Sequence, residues 1–347
     1  MMLSSRRSLL RRLGALAMLG FVPPGAVACR SSGSDEANDL AGASLEASLR
    51  GSFLPTFDAI TVDLASRWEE GRNATLAVML SEDWRTVNAQ IAQQRQGADI
   101  AELFGNQPHL FSDRLVDLSE LAERVGASLG GWSDEARQSC MVNGVWRALP
   151  WSTTRHGLVV RTDILDDVGA AVPTTYDELL DAATRLHEAG APMIGMTMGE
   201  NGPSDAAALA YGMLWSFGGQ ELSDEGRVVL ESAATEAALN YFAELGALNA
   251  DGAFDYTHPD NNDAYLAGSL AITQNPSSIY LAALDLDPTL AENTTNTPLP
   301  AGPAGQFHLP EINSLAIFRH SSDAFAASDW IESVSYTHLT LPTTPYV

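Results

Sequence analysis

Short apolar runs alternate with segments of helical periodicity through the middle of the chain. Runs of strand length occupy residues 74–80, 99–104, 144–151, 157–161, 193–198, 269–273 and 314–318. Ile60, Leu64 and Trp68 recur at helical spacing before the first run, and Val87 and Ile91 do so after it. Because helices intervene almost every time, the pattern predicts an α/β fold with largely parallel sheets.

One helix has recognisable ends. Thr175 stands at the expected N-cap and Glu178 follows three residues later, which is the pattern of a capping box. Gly190 is expected to end the helix. Its expected buried stripe consists of Leu179, Ala182, Ala183 and Leu186.

Composition excludes several functions. The 347 residues suit one large domain or two medium ones, and 44 acidic against 19 basic residues give a formal net charge of -25. All the basic residues are arginine, so a phosphate loop that needs lysine and a Schiff-base lysine are excluded. The acidic balance argues against nucleic acid as a partner. The seven histidines are scattered without the i, i+4 pair of a helical zinc site, so we expect no metal, and no cofactor is expected either.

The N-terminus has the three regions of an export signal. Arg6 and Arg7 lie in a basic leader, residues 13–22 are apolar, and residues 26–28 form a small-residue cleavage site. The segment 1–28 resembles a signal peptide of the twin-arginine type. Cleavage after Ala28 would make Cys29 the first residue. This placement resembles a lipoprotein signal, which implies lipidation and a membrane anchor at Cys29; processing by ordinary signal peptidase is the alternative, in which case Cys29 could form a disulfide with Cys140. Residues 29–48 are expected to form a flexible tether.

The other end of the chain breaks the preceding helical pattern. Residues 335–347 are rich in threonine and contain Pro342 and Pro345. This string resembles translated sequencing-adapter sequence, so we expect a non-native tail; a genuine Thr/Pro tail is the alternative.

Four segments in order carry a family resemblance. Residues 159–165, followed by Gly169 and residues 173–179, resemble the signature of family 1 extracellular solute-binding proteins, the substrate-capturing subunits of ABC importers, mostly for sugars. The same family's later motifs resemble residues 215–219 with 224–226, then 265–272, and then 298–303. The resemblance covers about residues 50–334. It implies a two-lobe, type II periplasmic-binding-protein-like fold, with lobe 1 formed by 49–153 plus 300–334, lobe 2 by 154–299, and the ligand cleft between them.

Loops that follow the predicted strands supply the candidate binding site. Ligands of open α/β sheets lie at the carboxyl ends of strands, and these loops combine amides, hydroxyls and tryptophan, which suit sugar hydroxyls and the apolar face of a sugar ring. The candidate ligand-binding residues are Asn106, Gln107, Trp151, Thr154, Glu200, Asn201, Trp215, Gln274 and Asn275. The tryptophans could instead fill the core, and Asn106 and Gln107 could cap a turn. Arg155, in the presumed hinge, could bind a carboxylate ligand or form a salt bridge.

The expected function is therefore capture rather than catalysis. The resemblance implies an extracytoplasmic, lipid-anchored monomer, in the periplasm or on the outer face of the cell membrane. It would bind a small neutral solute, a mono- or oligosaccharide, by lobe closure and deliver it to the membrane subunits of an ABC importer. A polyamine or other cationic solute is the alternative cargo, favoured by the net charge. A secreted glycoside hydrolase that uses paired carboxylates is the alternative from another class.

Overall fold

The computed structural model describes residue 40 and residues 42–199, 203–257 and 259–336. These residues belong to one unit that begins at Leu40. Several predicted features lie outside the described residues: the signal peptide 1–28, the lipidation site Cys29, Glu200, Asn201 and the tail from residue 337 onward.

Strands and helices alternate along the described chain. The strands are β1 (Ser44–Arg50), β2 (Thr75–Ser81), β3 (Ile100–Phe104), β4 (Met141–Val142), β5 (Val145–Trp146), β6 (Leu149–Thr154), β7 (Gly157–Arg161), β8 (Met193–Ile194), β9 (Leu270–Asn275), β10 (Thr294–Pro298) and β11 (Glu311–Ile317). The helices are α1 (Pro55–Glu69), α2 (Trp84–Gln94), α3 (Gln107–Leu110), α4 (Ser119–Leu129), α5 (Asp134–Cys140), α6 (Thr162–Asp167), α7 (Tyr176–Ala189), α8 (Pro203–Ser216), α9 (Ala233–Ala247), α10 (Asp260–Leu266), α11 (Ser278–Leu286), α12 (Pro288–Glu292) and α13 (Ala324–Ser335). The predicted α/β class is confirmed.

Two larger sheets contain all the strands except β4 and β5, which form a separate antiparallel pair. Sheet 1 has the strand order β2-β1-β3-β11-β6, and sheet 2 has the order β10-β7-β9-β8. The chain passes from sheet 1 to sheet 2 through residues 155–156 and returns through residues 299–310. We call these two segments the outward and return crossovers.

The prediction of largely parallel sheets is wrong. β1 is parallel to β2 and β3, and β8 is parallel to β9. In contrast, β11 is antiparallel to both of its neighbours, and β7 is antiparallel to both of its own. Each of these antiparallel pairs contains β7 or β11, the first strand after a crossover. The chain therefore enters each sheet in the direction opposite to that of the adjacent strands.

The first strand begins inside the segment for which the sequence predicts a tether, so that prediction needs correction for residues 44–48. β1 alternates polar and apolar residues, and Leu45, Ala47 and Leu49 are fully buried, as is Ser48. It lies between β2 and β3, so its backbone groups are paired on both sides. A polar tether could not fill that central position in the sheet.

Each sheet has its own apolar core. Trp146, Phe318 and Trp330 are fully buried in the core of sheet 1. The core of sheet 2 is built on Tyr176 and on the predicted stripe of α7. The predicted capping box is present at the start of that helix, since Thr175 Oγ1 accepts from the Glu178 backbone and Glu178 Oε2 accepts from the Thr175 backbone, at 3.2 and 3.1 Å.

None of the helices within the described residues has the length and apolar character that crossing a membrane requires.

Candidate functional site

A buried polar cluster lies where the outward crossover meets both sheets. His156 is in that crossover, Glu311 is the first residue of β11, and Gln274 is near the end of β9. His156 Nε2 lies 3.3 Å from Glu311 Oε1, and His156 Nδ1 lies 2.6 Å from Gln274 Nε2. All three side chains are buried. We call these three residues the crossover triad.

Strand register explains why these residues meet. In sheet 1, Glu311 pairs with Thr154, two residues before His156. In sheet 2, Gln274 pairs with Leu158, two residues after it. The histidine therefore stands between one residue from each sheet, and its ring connects the two.

The charge state of His156 is set by two opposing effects. Burial of the ring lowers its pKa, but the hydrogen bond and the charge of Glu311 together outweigh burial, so the pKa of His156 lies above its ordinary value. The carboxylate of Asp205 acts in the same direction as Glu311, and Arg50 acts against them. A buried histidine of this kind is a titratable group at the junction of the sheets.

Other charged side chains surround the triad. Arg85, in the first turn of α2, lies over the ring of Phe104 with its guanidinium carbon 5.2 Å from the ring centroid. Burial lowers the pKa of Arg85, while the charges of Glu311 and Asp205 partly offset that effect. Since Arg85 flanks sheet 1 and Asp205 lies on α8, which contacts β9 of sheet 2, charged groups from both sides act on one another here.

A ladder of amides continues from Gln274 into α10. Asn261 Nδ2 donates to Thr273 Oγ1 and to the Gln274 carbonyl, at 3.2 and 3.1 Å. Asn275 Nδ2 donates to Asn262 Oδ1 at 2.6 Å, and Asn275 Oδ1 accepts from a serine hydroxyl at 2.7 Å. The end of β9 is thus held rigidly by side-chain hydrogen bonds.

The amide ends of this network are not all satisfied. Gln274 Oε1 and Asn261 Oδ1 are buried and find no hydrogen-bond partner among the described residues. The same holds for Asn313 Oδ1, two residues beyond Glu311 on β11. These atoms can only accept hydrogen bonds, and a buried acceptor without a donor costs about 1–3 kcal/mol. The cluster is therefore suited to a partner that donates hydrogen bonds.

The structure unites some predicted site residues with the triad and places others elsewhere. Gln274 belongs to the triad, Asn275 to the amide ladder, and Thr154 pairs with Glu311. Gln107 is used internally, because its Oε1 accepts from the Phe104 backbone at 2.9 Å. Asn106 is exposed beside it, at the N-cap of α3, without a side-chain capping bond.

The two predicted tryptophans have different surroundings. Trp151 is half-buried and packs against the core of sheet 1. Trp215 is half-buried on α8, where its Nε1 donates to Glu221 Oε2 at 2.9 Å and its ring lies 5.4 Å from that of Tyr211. Both residues stay predictions as ligand platforms.

Sequence patterns missed several members of the cluster. Glu311 follows a proline-rich crossover, and Asp205 and Arg85 lie in first turns of helices, where an exposed position is the usual expectation. Arg155 forms a salt bridge with Glu135 at 4.0 Å, one of its two expected roles, and contacts His308 of the return crossover. Besides Gln274 and Asn275, the Asn261–Asn262 pair is a local signal that could have indicated the amide ladder.

No group of three or more histidine, cysteine, aspartate or glutamate side chains within the described ranges could hold a metal ion.

Comparison with protein families gives a match over most of the chain. The model of the family described as bacterial extracellular solute-binding protein matches residues 54–336. A probable ABC transporter-binding protein of Deinococcus radiodurans is 26% identical over 206 residues, which are 57% of this chain and 49% of that protein. The chain thus spans about half the length of this curated relative.

Solved structures share the fold at low sequence identity. Maltose-bound MalE3 of T. maritima superposes with a TM-score of 0.74 at 21% identity, covering 84% of this chain and 77% of that one. A solute-binding protein from Thermotoga lettingae with bound α-D-tagatose gives 0.74 at 18% identity, with coverages of 84% and 76%. One from Agrobacterium radiobacter K84 in complex with ribitol gives 0.70 at 21%, with coverages of 86% and 77%.

Proposed function

Because the chain belongs to the bacterial extracellular solute-binding protein family, we propose that it is the solute-capturing subunit of an ABC importer. The cargo is a small neutral solute rich in hydroxyl groups, a mono- or oligosaccharide in the first place. Three structural relatives support this class, since their structures hold maltose, tagatose and ribitol.

The observation that carries the proposal is the unsatisfied Gln274 carbonyl oxygen within the crossover triad. A hydroxyl group can donate to such an acceptor and also accept from neighbouring groups, so a polyol can satisfy both kinds of partner at once. A neutral ligand also avoids adding an unpaired charge to a site that already contains Arg85, Asp205 and Glu311.

The binding cycle follows from the two crossovers. We propose lobe 1 over 49–153 plus 300–334 and lobe 2 over 154–299, so that the chain connects them only through segments close to the triad. A solute that contacts both lobes favours the closed form, because only that form makes both sets of contacts. The remaining predicted candidates Asn106, Trp151 and Trp215 are proposed as outer contacts, alongside Glu200 and Asn201.

Location and partners complete the proposal. The family description as extracellular supports an extracytoplasmic site of action. We propose lipidation at Cys29, a monomeric receptor, and docking of the closed form on the importer's membrane subunits. Capture without chemical change distinguishes this function from that of a carboxylate-dependent hydrolase.

A ligand panel tests the proposal. Maltose, tagatose, ribitol, laminaribiose and spermidine are each added to the purified protein, and the unfolding midpoint is measured; a solute that binds only the folded state raises it. We expect at least one saccharide or polyol to raise the midpoint and to be recovered unaltered by chromatography. Stabilisation by spermidine alone would favour the cationic cargo, and cleaved product would favour the hydrolase.

A pair of glutamine variants locates the site. Gln274→Ala is expected to weaken binding about 5- to 100-fold, because it removes a buried hydrogen-bond partner of the solute. The matched control is Gln96→Ala, which removes an exposed glutamine after α2. Calorimetric affinities that are equal in both variants would place the solute elsewhere.

A further inference from the structure

Within the crossover triad, the direction of the hydrogen bond between His156 and Gln274 depends on whether the His156 ring carries one proton or two. We propose that His156 is a positioning residue for the solute site, whose protonation state decides which end of the Gln274 amide is presented to the solute. This inference rests on the proposed function for its effect on binding, but the coupling between the two side chains is a property of the protein alone.

The donor and acceptor types of the contacting atoms determine where the proton lies in the neutral His156 ring. Gln274 Nε2 can only donate, so at 2.6 Å it requires His156 Nδ1 to be an unprotonated acceptor. The ring proton then lies on Nε2, which faces Glu311 at 3.3 Å. In this state the Gln274 amide nitrogen is held by the ring, and its carbonyl oxygen is buried without a hydrogen-bond partner among the described residues.

A second proton on the ring reverses this arrangement. Both nitrogens of an imidazolium donate, so Nδ1–H needs an acceptor, and the amide nitrogen of Gln274 cannot provide one. Turning the amide by half a rotation places Oε1 against Nδ1 and presents the nitrogen instead. The two arrangements are discrete, because two donors cannot share the same short contact.

Charged groups from several elements bear on the ring. Glu311 on β11 and Asp205 on α8 favour the charged form, and Arg50 at the end of β1 opposes it. Arg85 on α2 acts on Glu311 and is itself influenced by Asp205. Arg155, the preceding residue, is engaged by Glu135 and His308. The net effect places the pKa of His156 above its ordinary value.

An effect on binding follows. The neutral ring leaves the carbonyl oxygen of Gln274 to accept from a solute hydroxyl, whereas the charged ring engages that oxygen and presents the amide nitrogen, which can only donate. A hydroxyl oriented for one arrangement is wrongly oriented for the other, so affinity for a polyol is expected to change about 3- to 10-fold through the titration of His156, the effect of one hydrogen bond. By reciprocity, bound solute shifts the pKa of His156.

The first experiment needs no solute. The ring of His156 and the side-chain amide of Gln274 are followed by NMR from pH 5 to pH 9 in the isotope-labelled protein. We expect the Gln274 amide signal to shift with the same midpoint as the His156 ring, and to stay constant in His156→Gln. A Gln274 signal that ignores the titration of His156 would overturn the coupling, whatever the outcome of the ligand panel.

The second experiment measures binding. The solute that emerges from the panel is titrated calorimetrically at pH 5.5 and pH 8.5 into the wild-type protein, His156→Gln and His187→Gln; the last removes an exposed histidine at the end of α7. Wild type and His187→Gln should show the pH-dependent change in affinity, and His156→Gln should bind with affinity that is constant over this range. A change that persists in His156→Gln would refute the positioning role, and absence of any binding solute would refute the proposed function while leaving the NMR result valid.

Discussion

Glu102 offers a quantitative test of what it costs to ionise a carboxyl group in the interior of sheet 1. It lies on β3 and is only 4% exposed. Its Oε2 accepts from the Arg50 backbone N–H at 2.9 Å. Burial raises its pKa from 4.5 to about 7, although this hydrogen bond and the charge of Arg50 oppose the shift. The carboxyl group therefore prefers to be neutral in the folded protein.

The sign and size of the stability effect follow from proton linkage. Because the folded pKa is raised, the protonated group is tolerated at low pH, and the wild-type protein loses stability as pH rises from the unfolded value of 4.5 through about 7. The complete effect is about 3 kcal/mol, of which about 2.5 kcal/mol falls between pH 5 and pH 8. Glu102→Gln cannot ionise at this position. Between pH 5 and pH 8 its free energy of unfolding should therefore rise by about 2.5 kcal/mol relative to that of the wild type.

The assay is urea unfolding of both proteins at pH 5, 6, 7 and 8. Titration of all other groups is common to the two proteins and cancels in the difference, which makes the pH slope of that difference the informative quantity. Glu120→Gln, on the exposed face of α4, is the matched control and should show no comparable slope. A difference between Glu102→Gln and wild type that is constant across the four pH values would refute the reasoning.

Three further predictions concern other parts of the fold. Burial raises the pKa of Cys140 to about 12, so its native thiol should react with Ellman's reagent at pH 8 on the order of a thousandfold more slowly than in urea, as followed by peptide mass spectrometry. Thr175→Ala should lower the free energy of unfolding by about 1 kcal/mol in a urea titration, since the capping box is lost. Gly157→Ala should lower the unfolding midpoint, at a cost of about 1–3 kcal/mol, because its new methyl group would meet the Thr297 carbonyl oxygen of β10.

Elements with strong local signals could be predicted from the sequence. β7 has the predicted bounds, 157–161, and α7 has its predicted caps and buried stripe, because apolar runs and capping residues act over a few residues. β10 was missed since its residues, Thr294–Pro298, include no large apolar side chain; its partner β7 makes it a strand. β1 was missed because its short apolar residues alternate with polar ones beside a polar segment.

The candidate site was only partly predictable for a similar reason. Gln274 and Asn275 stood out as polar residues that end an apolar strand, and both lie in the buried polar network. His156 and Glu311 are separated by most of sheet 2 in sequence, so only the pairing of β6 with β11 and of β7 with β9 brings them together. No pattern of a few residues records such long-range contacts.

The placement of buried polar groups supports the binding role that we propose for the junction of the two sheets. Single buried polar side chains such as Glu102 and Asn249 occur elsewhere, but His156, Gln274 and Glu311 contact one another at the crossovers. Replacing a buried ion pair by apolar residues of similar volume is often neutral or stabilising, so stability alone does not account for these groups. Buried polar groups without a partner are costly, and a polar solute that bound there would satisfy them; in the proposed binding cycle, such a solute would contact both proposed lobes.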